Sequence, residues 1–230
     1  GSGLGTSAAM NVAFLSAIAG DGKSHDEIAE LAFQFEALLG NTGGRQDQWA
    51  SAYGGFQHLR FVGDKVISKQ LNPSSKFIED LERNLLLFDS GITHVSGDLH
   101  DSVWQRYANG DKDIPEALRR IRHMAQEMVV AIESENIPGV GISLFRTTKS
   151  VDLLDKAFDE PFRRVLKPLW GDYIFGWKAM GAGAGGVVGV MLEDEGCRSE
   201  VMAVAEKNGW KHIDWAVEQQ GIQRTVNLHE

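Results

Sequence analysis

Apolar residues in this chain recur first at helical spacing and later in short continuous runs, and the change of period divides it into elements. Met10, Ala13, Phe14, Ala17 and Ile18 predict an apolar helix directly after the glycine-rich stretch Gly1-Ser2-Gly3-Leu4-Gly5. A turn at Asp21-Gly22-Lys23 follows, and Ser24-His25-Asp26-Glu27 reads as a capping box, with Ser24 as N-cap and Glu27 reaching back. The helix it opens places Ile28, Leu31, Ala32, Phe35 and Leu38 on one stripe, with Glu36 at the stripe's edge and not on the solvated face. Residues 40–44 end it, and 45–53 predict a short helix closed by Gly54-Gly55. Phe56–Val62 and Lys65–Leu71 predict two strands around the hairpin turn Gly63-Asp64.

Pro73 marks a boundary, and from Asp80 the chain runs into Leu85-Leu86-Leu87-Phe88, a strand of the buried type. Helices are expected over 98–107 and in a long segment opened by Asp113 and Pro115, whose inward face is read as Leu118, Ile121, Ala125, Met128, Val129 and Ile132. Residues 140–169 read as further helix interrupted at Pro161. Val187–Leu192 is an apolar strand, 198–208 an amphipathic helix and 213–217 a last strand. The sequence carries no repeat and no low-complexity tract.

Two glycine stretches stand out. In the first, Gly1, Gly3 and Gly5 permit backbone turns that aim successive N–H groups at an anion, and the helix after Thr6 and Ser7 adds its free amides and positive dipole end. No lysine precedes Lys23, which excludes a Walker loop, and Thr6 stands where a dinucleotide fingerprint needs its third glycine. The alternative is an ordinary loop and helix cap. The second stretch, Gly181-Ala182-Gly183-Ala184-Gly185-Gly186, formally fits G-x-G-x-x-G but precedes a strand, so the dinucleotide reading fails on context and a tight structural turn is the alternative.

At 230 residues and 43% hydrophobic, the chain suffices for one large or two modest packed domains. A net charge of −9 without a basic cluster argues against nucleic acid or an anionic membrane as partner. The single cysteine, Cys197, excludes an internal disulfide and a thiolate cluster, which fits a reducing cytoplasm. No apolar run has bilayer length. A chain that opens on a glycine loop with no strand leading into it is expected to be the remainder of something longer.

With these residues in place, the chain resembles the GHMP kinases, small-molecule kinases that include galactokinase, homoserine kinase and mevalonate kinase. The opening Gly-Ser-Gly-Leu-Gly-Thr-Ser-Ala-Ala is similar to the family's phosphate loop. Glu36 through Gly43-Gly44-Arg45-Gln46-Asp47-Gln48 to Tyr53-Gly54-Gly55 is similar to its glutamate helix and G-x-x-D-Q element, and residues 181–186 to its C-terminal glycine motif. Order and spacing agree over almost the whole chain. The family's first motif, an acidic and basic turn, would lie upstream of Gly1, and Ala184 stands where many members carry glycine. The form Gly-Gly-Arg-Gln-Asp-Gln with Leu-Leu-Leu-Phe-Asp-Ser-Gly-Ile-Thr resembles the sugar branch, the heptose 7-phosphate and fucose kinases.

The resemblance implies an α+β, two-domain GHMP kinase fold: part of a ribosomal-protein-S5-type ATP-binding domain over 1–72, and a ferredoxin-like domain over 73–230. It implies ATP and Mg²⁺ as cofactors, a sugar or sugar-phosphate as substrate, and a cytoplasmic protein with no nucleic-acid or membrane partner; a homodimer is compatible with it. Nucleotide contacts fall on Gly1, Gly3, Leu4, Gly5, Thr6, Ser7, Gly183 and Gly185, and substrate contacts on Gly44, Arg45, Asp47, Tyr53 and Gly181. Ser7 and Glu36 offer hard oxygen ligands to magnesium, against readings as a helix cap and a solvated helix residue. Asp47 is the candidate base, or else a helix-start acid favoured by the dipole. Arg45 and Lys178 could meet a phosphate or lie on the surface. His94, His100 and Asp101 suggest a metal site, but the helical offset does not put His94 and His100 on one face, so ordinary polar or pocket-lining roles are preferred. A non-sugar alcohol kinase of the mevalonate or homoserine type, and a non-catalytic nucleotide- or sugar-binding fragment, are the competing functions.

Overall fold

The structure, a computed structural model, describes residues 3–19, 22–40, 43–92, 96–181, 183–223 and 225. The chain forms two compact units, one of Gly5–Asn72 with Val217–Glu230 and one of Gly1–Leu4 with Pro73–Ala216. They are called here the hairpin unit and the sheet unit.

In the hairpin unit, helices α1 (Thr6–Ala19), α2 (His25–Leu38) and α3 (Gln46–Tyr53) precede an antiparallel pair, β1 (Phe56–Val62) and β2 (Lys65–Leu71), in register from Val62↔Lys65 to Phe56↔Leu71. The capping box forms as expected: Glu27 N–H donates to Ser24 Oγ at 3.2 Å and Ser24 N–H donates back to Glu27 Oε2 at 3.0 Å. Val12, Ile28, Ala29, Ala32, Trp49 and Ala52 make the core, with Leu59, Val66 and Ile222 against it. Ile222 arrives from the far end of the chain. Its N–H donates to Ala52 O at 3.0 Å, and Gly55 N–H donates to Glu218 O at 2.6 Å. Gly54 and Gly221 make this crossing feasible, since a Cβ on Gly54 would lie 2.4 Å from Gly221 N and one on Gly221 would lie 2.3 Å from Ala52 O.

Two helix faces differ from the sequence reading. In α1 the inward residues are Ala8, Val12 and Ser16, while Met10, Phe14 and Ile18 are more than half exposed. In α2 Ile28, Ala29, Ala32 and Glu36 turn inward and Leu38 is fully outside. The physical reason is close packing of α1, α2 and α3, which places the small side chains at the contacts.

The sheet unit holds α4 (Ser75–Asn84), β3 (Leu85–Asp89), α5 (Ser96–Ala108), α6 (Asp113–Glu133), α7 (Ile137–Val151), α8 (Glu160–Leu166), β4 (Ile174–Ala179), β5 (Val187–Leu192), α9 (Arg198–Lys207) and β6 (Lys211–Ile213). Strand order is β4-β5-β3-β6 with every pairing antiparallel, which is the ferredoxin-like arrangement of two interleaved β-α-β units. β5 is buried at all six positions. Val188, Val190 and Leu192 join Phe88, Phe162 and Trp177 in the main core, where each fully buried large side chain contributes about 1.5–3 kcal/mol.

Several elements depart from the sequence reading here. α4 was not expected, although Ser74 caps it and Phe77, Ile78 and Leu81 form a sharp inward stripe. β4 was also missed. In α6 the buried face is Ile114, Ala117, Met124, Ala131 and Ile132, while Leu118 is exposed, a rotation of about one residue. Pro161 lies in the first turn of α8 and so opens a helix, consistent with its missing donor, instead of interrupting one. The last strand is Lys211–Ile213 and not 213–217; Trp215 lies beyond it and donates Nε1–H to Leu85 O at 2.8 Å. Among the described residues no helix is long and apolar enough to cross a membrane.

Candidate functional site

The glycine loop at the start leads straight into α1. Gly1 lies outside the described residues, as does His94. Gly3 and Gly5 have φ of 75° and 69°, a region that costs other residues about 1–2 kcal/mol. A Cβ on Gly3 would stand 2.8 Å from Met180 O, and one on Gly181 2.8 Å from Gly3 Cα, so these two glycines touch backbone to backbone. Leu4 is partly exposed. The first described helical bond runs from Ala9 N–H to Gly5 O at 3.0 Å, so the amides ahead of it belong to the open helix end. Thr6 and Ser7 occupy that first turn, and both are exposed.

Within the hairpin unit, Asp47 lies against Gly5. A Cβ on Gly5 would be 3.3 Å from both Cβ and Cγ of Asp47, a tight contact that the carboxyl side chain would have to shift to relieve. Asp47 sits in the first turn of α3, half-buried. Burial, and then the negative charge of Glu36, push its carboxyl above the ordinary aspartate range. Glu36 is 6% exposed on α2 and accepts a hydrogen bond from Asn11 Nδ2 at 2.9 Å. Two carboxylates from two helices thus face one another electrostatically beside the start of a third.

Asn11 did not figure in the sequence reading. The signal was a polar amide inside an apolar helix, one turn after Ser7. Among the described residues no group of three or more His, Cys, Asp or Glu side chains could hold a metal. A divalent ion of the magnesium type, which takes one or two protein carboxylates and completes its shell with phosphate and water, suits the Glu36 carboxylate, whose negative charge already bears on Asp47.

Other expected substrate residues are engaged elsewhere. Arg45 donates Nη1–H to Asp64 O at 2.6 Å, lies 4.6 Å over the Phe33 ring and is 3.7 Å from Glu30 Oε1. It braces the hairpin turn. Tyr53 donates its hydroxyl proton to Asp26 Oδ1 at 2.7 Å, and burial together with that bond raises its pKa to about 12. Gly44 is exposed at the approach to α3.

In the sheet unit four described residues of the second glycine run are left-handed, with φ of 64° at Gly181, 81° at Gly183, 63° at Ala184 and 70° at Gly186. Ala184 N–H donates to Phe158 O at 2.7 Å, Gly186 N–H to Ile92 O at 3.0 Å, and Gly186 O accepts from both N–H and Oγ–H of Ser90. Gly185 is buried. Beneath the run a cavity of about 140 Å³ is lined by His100, Thr148, Phe158, Lys178, Gly181 and Gly183, among others. His100 lies 5.3 Å from the Phe158 ring and Asp159 accepts from Trp177 Nε1 at 2.8 Å.

Residues 1–55 match the family of GHMP kinases N terminal domain. Among curated proteins, the D-glycero-alpha-D-manno-heptose 7-phosphate kinase of Campylobacter jejuni is 26% identical over 229 residues, 97% of this chain and 67% of that protein. The bifunctional fucokinase/GDP-fucose pyrophosphorylase of Arabidopsis thaliana is 28% identical over 200 residues, 84% of this chain and 19% of that protein. The crystal structure of a D-glycero-D-manno-heptose 1-phosphate kinase from Bacteroides thetaiotaomicron superposes with a TM-score of 0.71 at 24% identity, covering 96% of this chain and 62% of that one. The chain therefore spans about two thirds or less of the proteins it matches. Residues 1–55 thus match the GHMP kinases N terminal domain, and the chain carries an α+β fold similar to that of these solved kinases.

Proposed function

We propose that this chain takes part in ATP-dependent phosphorylation of a hydroxyl on a sugar or sugar phosphate. The observation that carries the reading is the position of Asp47 beneath Gly5, beside Glu36, at the mouth of a helix that begins with a glycine loop. Gly3, Gly5 and the first turn of α1 bind phosphate oxygens through backbone amides and the positive helix end. Glu36, oriented by Asn11, and Ser7 would hold Mg²⁺, which when bound neutralises charge on the phosphoryl group in transfer. Asp47 takes or orients the proton of the acceptor hydroxyl; its raised pKa brings it nearer the range in which a general base is effective. Gly183, Gly185 and Gly181 are assigned nucleotide and substrate contacts on the resemblance, and so are Gly44, Arg45 and Tyr53. Their braced geometry suits Arg45 and Tyr53 to holding Phe33, the hairpin turn and Asp26 in place around the site. The heptose kinase and the fucokinase among its relatives favour a sugar acceptor.

The test is ADP release by the full chain with ATP and Mg²⁺ against hexoses, deoxyhexoses, heptoses and their phosphates. Sugar-dependent turnover is expected. Preference for mevalonate or homoserine over every sugar would replace the acceptor class, and nucleotide binding without any turnover would leave a binding protein.

A further inference from the structure

We propose that Lys178, in the wall of the cavity beside Gly181, forms a subsite for a phosphomonoester, and that its occupant is the phosphate an acceptor sugar already carries. This rests on the kinase reading above for its occupant but not for its existence. Lys178 lies in β4, an edge strand of the sheet paired with β5. Its ammonium is deep in protein, although the residue as a whole keeps some accessible surface. Among the described residues it makes no ion pair. Its one described hydrogen bond goes to the carbonyl of the next residue, Ala179 O, at 2.6 Å. A buried cation without a counter-charge is costly, and burial accordingly pulls its pKa down. The carboxylate in the same wall, Asp159, is already committed to Trp177 Nε1 and to Arg163.

What is missing is an anion, and the room for one is present: the cavity of about 140 Å³ exceeds a single water and is half-enclosed by Phe158 and the glycine run. Its position fits an acceptor. Gly181 lines the cavity and also lies against Gly3 within the same unit, so a phosphate here would sit near the Gly3 backbone. A small cavity with one cation and mainly apolar walls selects a compact charged group on a larger molecule.

The experiment follows binding and turnover in the full chain for Lys178→Met, which keeps length and removes charge. Because it deletes a buried unpaired cation, this variant should melt at least as high as the parent. Inorganic phosphate and mannose 6-phosphate should protect the parent against thermal unfolding and compete with each other, whereas mannose should not compete. In Lys178→Met their affinity should fall about ten- to a hundredfold, with ATP affinity unchanged. Arg146→Gln serves as control, since Arg119, Arg120, Arg146 and Lys149 line an open surface groove between α6 and α7 that is the alternative place for an anion. Equal phosphate affinity in parent and Lys178→Met, no protection of the parent at all, or loss in Arg146→Gln instead would overturn the subsite. Binding of inorganic phosphate but not of mannose 6-phosphate would overturn the acceptor as its occupant. Persisting phosphate protection in a chain that turns over no sugar would sink the kinase reading and leave the subsite standing.

Discussion

The two glycine runs of this chain look alike as sequence and differ in what their backbones do. In the first, Gly5 lies over a carboxylate and the amides that follow form an open helix end. In the second, Ala184 and Gly186 spend their N–H groups on Phe158 and Ile92, and Ser90 locks the carbonyl of Gly186 from two donors. Glycine content therefore reports only that the backbone turns sharply. The fate of each N–H decides whether the turn can receive an anion or fastens two pieces of chain together.

That contrast can be broken most severely at Asp47. Asp47→Asn should lower kcat by about two to four orders of magnitude while ATP binds nearly as before. It should also melt higher at pH 7. The folded carboxyl titrates above its unfolded value, so native stability falls as pH rises from the ordinary aspartate range through the raised one, and the amide escapes that loss. The melting advantage should fade on acidification below that range. An Asn variant within a few-fold of parent activity would make Asp47 a helix-start acid.

Next in size is Gly5→Val, which puts a β-branched side chain at φ 69° and against Asp47. Calorimetry should show ATP affinity weakened about tenfold or more, in line with loss of one or two charge-assisted amide bonds. Gly186→Val tests the other run: it should cost about 1–2 kcal/mol of stability in urea unfolding and leave ATP affinity within twofold. If the two variants exchange phenotypes, Gly5 fastens the chain and the turn at Gly186 receives the phosphate. The smallest effect is expected at Ala184, an L-residue at φ 63°. Ala184→Gly should stabilise the chain by at most about 1 kcal/mol, visible as a small rise in Tm.

Local signals were legible wherever a short run of residues contains its own physics. The Ser24 box and the Gly63-Asp64 hairpin are examples, since cap and turn are settled by neighbours in sequence. Helix faces were less legible. In α1 almost every residue is apolar or small, so no stripe announces itself, and tight helix contacts select Ala8, Val12 and Ser16 over the bulkier Met10 and Phe14. β4 went unseen because Gly176 and Lys178 interrupt a short strand whose pairing partner, β5, lies beyond a loop. The nearness of Glu36 to Asp47 comes from α2 packing on α3 and has no signature in spacing. Lys178 shows the same limit from the other side, because nothing in a one-dimensional pattern separates a buried lysine from a surface one.

The return of the chain's end to the hairpin unit bears on how the protein is made. Ala52 and Gly55 receive their partners Ile222 and Glu218 only after the whole sheet unit has been synthesised. On a ribosome the sheet unit can complete its core first, while the N-terminal helices wait with an unfinished edge and exposed apolar surface. Closing so long a loop adds little thermodynamic cost, about 0.6 kcal/mol per doubling of length, but contacts of such sequence separation form late. A chain cut before Glu218 would therefore carry all of its proposed catalytic side chains and still lack the strap that finishes the layer holding them.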